Sequence, residues 1–395
     1  MNESKRHRPS NPVLASLSLL AVAALCGLPF LQLAPNRLVS GQPIYFLSML
    51  HGPAWLVLTL SVALGLLVVW VTFKPRAVWL WSVLVLAVLG MPSLLWLAAS
   101  QASISLQGEL PIARAALGSG FWVTQMMLGL MVSTALQQLR ANVIQKVLVT
   151  AALLLTLGSL LASGICHDLS LMKEFANRAD GFVGILLRHV QIVLIAMLFT
   201  LAIGLPLAWL AHNQPKAGRA LLPVLNTIQT IPSIALFGLL MAPLALLATS
   251  VPALGRAGIS GVGIAPAVIA LTLYGLLPVV RGTLAGLQQV PRAMVQAARA
   301  LGLTRFQILM HVELPLALPV LLGGVRIAAV SCVGLAAVTA LIGAGGLGSI
   351  LFEGLFANAQ DLVLLGVLPI VALGVLVDGL FKLLISRANQ RVRPC

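Results

Sequence analysis

Acidic side chains are scarce in this chain: nine Asp and Glu stand against 24 Lys and Arg in 395 residues, and charged residues of both signs make up only 8%. Soluble domains carry about 25% charged residues, so a water-facing globule is excluded. A hydrophobic fraction of 60% and a mean hydropathy of +1.06 point instead to a polytopic membrane protein. Catalytic signatures are missing as well. There is no GxxxxGK[ST], so the chain does not bind ATP through a P-loop of its own, and neither HExxH nor GxSxG occurs to support an intramembrane hydrolase. The four cysteines, Cys26, Cys166, Cys332 and Cys395, show no CxxC or metal-like spacing and read as packing or incidental residues. The net charge of +15 raises nucleic acid as a partner. Basic residues that hold cytoplasmic loops inside explain it better, and no nucleic acid is expected.

What the chain has is long apolar runs. Spans are expected at 12–33, 53–73, 77–99, 119–139, 147–165, 190–211, 221–247, 264–280, 316–342 and 361–385, each near or above the roughly 20 residues a helix needs to cross hydrocarbon. The fold class is all-α, with about ten transmembrane helices. A signal peptide competes for the first run, but its apolar region is normally only about 7–15 residues with a small-residue cleavage site, so an uncleaved span is expected. With the N-terminus inside, 17 of the 24 Lys and Arg fall on the inner side and six outside, with Arg326 within a span. That asymmetry places both termini in the cytoplasm. The expected organisation is a cytoplasmic basic tail (1–11), an N-terminal membrane extension of about five helices (12–165), an external loop (166–189), a C-terminal core of five spans (190–385) and a cytoplasmic tail (386–395). The loop 166–189 reads either as plain loop or as a short amphipathic surface helix.

Within the core, the stretch 281–315 is too polar for a bilayer and faces the cytoplasm in this topology. It carries Arg281, Arg292, Arg299 and Arg305, with Glu313 its only acid. It reads as two short helices joined by a hinge. Pro291 suits a first helical turn, Gly302 falls where a helix end favours a left-handed residue, and Thr304 with Gln307 forms a capping box. Leu314-Pro315 is expected to close the second helix, because the residue before proline is pushed out of the α region. An ordinary basic loop fits the same cues.

Three further features stand out. Asn226-Thr227-Ile228-Gln229-Thr230-Ile231-Pro232-Ser233 is the most polar stretch inside any span. Gln229, Thr230, Pro232 and Ser233, with Tyr274 from the next span, either line a solute path or hold the bundle together by interhelical hydrogen bonds. Gly343-Ala344-Gly345-Gly346-Leu347-Gly348 satisfies GxGxxG but ends a membrane helix rather than following a strand. It is therefore no dinucleotide fingerprint, and Gly343, Gly345, Gly346 and Gly348 read as a turn into a re-entrant or surface segment, 349–360, that carries Glu353. Arg326 and Asp378 lie at similar depth from the same side. They either pair within the bilayer or snorkel separately to the interface.

The loop resembles the EAA loop of permease subunits of binding-protein-dependent ABC importers. That pattern is Glu-Ala-Ala, three residues, Gly, nine residues, then Ile-x-Leu-Pro. Ala297, Ala298, Gly302, Leu314 and Pro315 match it, while Gln296 replaces the usual Glu and Val312 the usual Ile. From about Phe182 onward the chain is similar to permeases of the glycine betaine/carnitine/choline (osmoprotectant) importers, through Thr227–Ser233, Leu271–Pro278 and Ala340–Gly348. Leu117-Gly118-Ser119-Gly120-Phe121-Trp122 and the stretch 34–41 are similar to the Yeh-type glycine betaine uptake permeases of enteric bacteria.

The resemblance implies a type I ABC importer permease core in the last five spans, in a bacterial inner membrane. It implies a docking loop for an ATPase subunit, a second permease subunit (identical or paralogous) and a periplasmic binding protein. ATP and Mg would be held by the ATPase, with no cofactor and no metal on this chain. The expected activity is import of glycine betaine or a similar quaternary amine by alternating access. Another small solute, or a non-transporting membrane scaffold or sensor that binds an ATPase, are the alternatives.

Overall fold

A backbone amide in hydrocarbon has no water to bond to, so apolar runs of this length must satisfy their amides internally. The computed structural model, which describes residues 12–36, 39, 41–49, 54–73, 77–256 and 258–392, is helical through most of its length. The basic tail 1–11, Arg37, Lys74, Arg76 and Arg393 lie outside the described residues. Among the described residues, eight helices are long and apolar enough to cross a membrane. The chain divides into two compact units, one ending at Asn177 and the other starting at Arg178.

The first unit contains α1 (Pro12–Gly27), β1 (Pro29–Ala34), β2 (Gln42–Tyr45), α2 (Ala54–Phe73), α3 (Ala77–Ser105), β3 (Arg114–Leu117), α4 (Ser119–Gln138), α5 (Val143–Ala162) and α6 (Ser170–Ala176). The apolar runs led to an all-α expectation, but this unit also holds three short strands that form an antiparallel sheet in the order β2-β1-β3. The first expected span, 12–33, accordingly ends as helix at Gly27 and continues as strand. Pro29 brings no amide to extend the helix and disfavours α geometry at Leu28. The fully buried Phe30 packs edge-on against Phe46 and Phe121, with ring centroids 5.5 and 5.8 Å apart. Gly118 donates to Phe30 O at 2.9 Å, and a Cβ there would lie 2.2 Å from Pro29 O. The Gly118-Ser119-Gly120 stretch is thus the seat on which the sheet rests against α4. Cys166 and Cys332 are buried and Cys26 is exposed. Burial pushes the Cys166 thiol up, as suits an unreactive packing residue.

The second unit contains α7 (Ala179–Asn213), α8 (Pro215–Thr230), α9 (Ser233–Ser250), α10 (Pro252–Arg256), α11 (Ile264–Gln288), α12 (Arg292–Ala300), α13 (Arg305–Ile308), α14 (Leu314–Leu335), α15 (Leu347–Phe356) and α16 (Gln360–Val392). The stretch 166–189 is not a plain loop. It holds a 3₁₀ turn, α6 and the first turns of α7. The expected span 221–247 is two helices, α8 and α9, broken at Ile231-Pro232. The span 316–342 changes to 3₁₀ after α14, at Val338–Ile342. The tail from 386 continues α16 as far as Val392.

Helix α11 is the centre of the second unit, with α7 and α14 packed along it. Its contact with α14 is backbone to backbone. A Cβ on Gly282 would lie 2.6 Å from Gly324 Cα, and one on Gly324 would lie 2.5 Å from Pro278 O. Small residues that let helix backbones approach are a main source of packing energy in membranes, where water expulsion no longer drives association. Gly324→Val must therefore separate α11 from α14 at an overpacking cost of about 1–3 kcal/mol. Gly323→Val is the control, since nothing lies within 4 Å of a Cβ there. Thermal unfolding in detergent should show a clear loss for the first substitution and little change for the second.

Candidate functional site: a broken-helix cavity and the loop beneath it

At the joint between α8 and α9, Ile231 is extended (φ −68°, ψ 127°) and so is Pro232 (φ −56°, ψ 136°). Proline brings no amide, and the residue before it is kept out of the α region, so the helix stops at Thr230 and restarts at Ser233. One carbonyl at the break finds a partner on α11, and one carbonyl of α11 finds a partner beside the break. Tyr274 Oη donates to Ile231 O at 2.5 Å, and Gln229 Nε2 donates to Tyr274 O at 2.8 Å. The Thr230 hydroxyl donates back to Thr227 O at 2.7 Å. Gln229, Thr230, Pro232, Ser233 and Tyr274 all line one cavity of about 900 Å³, which α11 and α14 complete with Arg281, Gly324 and Ser331. Arg281 Nη2 reaches Asn226 Oδ1 at 3.4 Å.

The glycine turn sits apart from this cavity. Gly343, Gly345 and Gly346 take φ of +79°, +81° and +81°, which only glycine adopts at little cost. Gly348 is excluded from side-chain substitution by space, since a Cβ would lie 1.9 Å from Ala337 O. The turn is held against α7. Arg188 Nε donates to Ala344 O at 3.1 Å, and the buried His189 ring fills the space beside Gly346 with its Nε2 3.1 Å from Val333 O. The 349–360 segment is mostly helix α15, and its Glu353 pairs with Arg178 at 2.6 Å.

Arg326 Nε lies 2.7 Å from Asp378 Oδ1, while Lys382 Nζ lies 2.5 Å from Oδ2 of the same carboxylate. The group is a triad rather than a pair. It is not fully buried within this chain, with side-chain exposures of 36% for Arg326 and 27% for Asp378.

Below the cavity, Pro291 caps α12, one residue before its first turn. The α12 end is a Schellman motif: Leu303 N donates to Ala298 O at 3.2 Å and Gly302 N to Arg299 O at 2.9 Å, with Gly302 at φ +83°. Thr304 and Gln307 form the capping box, at 3.3 and 2.8 Å. Leu314-Pro315 does not close the second helix. The chain passes through a π turn at Leu309–Glu313 straight into α14, with Leu314 N donating to Leu309 O. The wider turn makes room for the proline ring, which would otherwise clash with the carbonyl four residues back. Gln296 is exposed and lines a second cavity of about 370 Å³ with His212, Arg292, Arg299 and Glu313. Glu313 Oε1 is 4.0 Å from His212 Nε2. Ala298 is buried, whereas Met294, Leu301, Phe306 and Met310 are exposed, Leu301 by 80% and Phe306 by 64%.

Residues 186–390 match the family model of the binding-protein-dependent transport system inner membrane component, and residues 8–172 match the N-terminal domain of the ABC transporter permease YehY. The chain belongs to the binding-protein-dependent ABC importer permeases. This permease is 36% identical over 204 residues to the osmoprotectant import permease protein OsmW of Salmonella typhimurium, covering 52% of this chain and 90% of that one. It is 34% identical over 192 residues to the glycine betaine/carnitine/choline transport system permease protein OpuCD of Bacillus subtilis, covering 48% and 77%. Among solved structures, an inward-facing MetNI methionine ABC transporter aligns at a TM-score of 0.47 and 23% identity, covering 52% of this permease and 95% of that chain. The permease is a multi-pass membrane subunit, not an enzyme. Among the described residues, no group of three or more His, Cys, Asp or Glu is placed to hold a metal ion.

Two parts of the site were not singled out from the sequence. Arg281 was read only as a loop charge, yet seven residues after Tyr274 it falls on the same helical face. Leu301 and Phe306 were passed over, although large apolar residues in a polar loop are the available signal for a covered surface.

The triad yields a ranking. Asp378→Asn strands two cations, whereas Arg326→Gln leaves Asp378 with Lys382. Thermal unfolding in detergent should therefore fall further for Asp378→Asn than for Arg326→Gln. The reverse order would show that the triad does not hold α14 to α16 in this way.

Proposed function

We propose that this permease moves glycine betaine or a similar quaternary-amine osmoprotectant into the cytoplasm, through the cavity at the α8–α9 break. The observation that carries the reading is the continuity of that cavity with the loop below it. Helix α14 lines the cavity at Gly323, Gly324 and Ser331 and runs without interruption into the π turn and α13. A push on α12 and α13 is therefore a push on a cavity wall.

The exposed Met294, Leu301, Phe306 and Met310 give the loop an apolar face for an ATPase subunit. Gln296, Ala297, Ala298, Gly302, Leu314 and Pro315 fix the loop's shape. Gln296 carries no charge toward that partner. ATP and Mg belong to the ATPase, whose closure moves the loop. A second permease subunit completes the path, and a periplasmic binding protein delivers the solute. The Lys and Arg asymmetry supports a cytoplasmic side for the termini and the loop, and the glycine turn then belongs to the opposite mouth. The osmoprotectant class is taken from relatives such as OsmW and OpuCD, and the aromatic and carbonyl-rich wall at Tyr274 suits a cation without hydrogen-bond donors.

ATP-dependent uptake of radiolabelled glycine betaine into proteoliposomes that hold this permease with its ATPase, partner permease and binding protein tests the reading. Uptake should require ATP and be competed by related betaines. ATP hydrolysis without uptake would point to another solute, and recruitment of the ATPase with neither would point to a scaffold. Gly302→Asp should abolish uptake while leaving membrane insertion intact, because the φ of +83° is costly for any side chain even though the space beside it is open. Normal uptake by that variant would remove the coupling role from the loop.

A further inference from the structure

The 900 Å³ cavity has a charge imbalance. Among the described residues its polar lining consists of Gln229, Thr230, Ser233, Tyr274, Arg281 and Ser331, with one permanent cation and no carboxylate. Among the described residues Arg281 makes no salt bridge: its hydrogen bond is to the neutral amide oxygen of Asn226, at 3.4 Å. Arg281 is exposed within this chain, so water or an anion can reach its guanidinium, and its fork of donors matches a carboxylate in two-point fashion. Tyr274 stands two turns away on the same face of α11, about 10 Å along the axis. The break in the helix lies beside Tyr274, with the C-terminal end of α8, the partially negative pole of that helix, at the cavity wall. The cavity is therefore polarised, with cation-tolerant groups at the break and an unanswered cation at Arg281.

Resting on the function proposed above, we infer that Arg281 is a specificity-determining residue that receives the carboxylate of a zwitterionic solute during passage. Glycine betaine and carnitine carry a trimethylammonium group and a carboxylate, and both ends are matched. Choline carries the same trimethylammonium group with a hydroxyl in place of the carboxylate, and it leaves Arg281 unanswered. The cavity thus adds a selection step for carboxylate-bearing solutes beyond capture by a binding protein.

The test compares the complete complex carrying the unmodified chain, Arg281→Gln or Arg281→Lys, each with the same binding protein, so that the preference of that protein is common to all. Uptake of glycine betaine and of choline is measured beside recruitment of the ATPase to the membrane. The expected result for Arg281→Gln is a loss of about tenfold or more in kcat/KM for glycine betaine, the size of one charge-assisted hydrogen bond. Choline uptake, at whatever level the unmodified complex shows, does not fall. Arg281→Lys, which keeps the charge but not the two-point fork, recovers only part of the glycine betaine uptake, and both variants insert into the membrane and recruit the ATPase as the unmodified chain does. Unchanged glycine betaine uptake in Arg281→Gln, an equal fall for both solutes, or a loss of ATPase recruitment would overturn the inference while leaving the importer reading standing. Absence of ATP-dependent uptake of either solute by the unmodified complex would instead overturn the function reading, and this inference with it.

Discussion

The broken hydrogen-bond ladder at Ile231-Pro232 is the constraint on which the working half of this permease depends. A helix interrupted within a membrane leaves carbonyls that hydrocarbon cannot satisfy, so it is stable only where protein or water answers them. Here Tyr274 Oη does so for Ile231 O, while Gln229 beside the break donates in turn to the α11 carbonyl of Tyr274. The same break that demands these bonds splays α8 from α9 and opens the cavity wall. The polar lining, the ring of Tyr274 and the helix break thus meet at one cavity wall.

The cavity is tied to the loop by rigid parts. Helices α11 and α14 approach so closely at Gly282 and Gly324 that neither position accepts a side chain, and close packing of this kind passes displacement on rather than absorbing it. The π turn before Pro315 lets the chain run from α13 into α14 without a flexible linker. The Schellman end at Gly302 and the capping box at Thr304 fix the angle between α12 and α13. The glycine turn at the other mouth is held by Arg188 and His189. In the proposed mechanism, motion of the loop has a stiff route to the cavity and a pinned far end to work against.

Much of this was legible in the residues. Apolar runs located the helices because backbone satisfaction in lipid leaves little choice, and Gly302, Thr304 and Gln307 announced their conformations through local chemistry alone. Misreadings arose where a local rule met a tertiary answer. Pro315 reads as a stop, but a π turn accommodates it. Pro232 sits in a run long enough for one span, and the run holds two helices. Pro29 ends a helix that hydropathy would continue, because the strand it starts finds partners some 10 and 80 residues away in sequence. Arg281 looked like loop charge because its membership of the cavity depends on where α11 ends, and the helix runs on to Gln288. Pairing partners and cavity walls are set by distant segments, which periodicity in one segment does not encode.

The central claim is that the space at the α8–α9 break is the solute's route. Cysteine accessibility at Ser331 tests it most directly, in a background with Cys26 and Cys395 replaced. Ser331→Cys, on the cavity wall, should react with a water-soluble thiol reagent in the assembled transporter and be shielded when solute and ATP drive turnover. Leu376→Cys, on the exposed outer face of α16, should react with neither pattern. Equal inertness at both positions, or reactivity at Ser331→Cys that solute and ATP leave unchanged, would contradict the account.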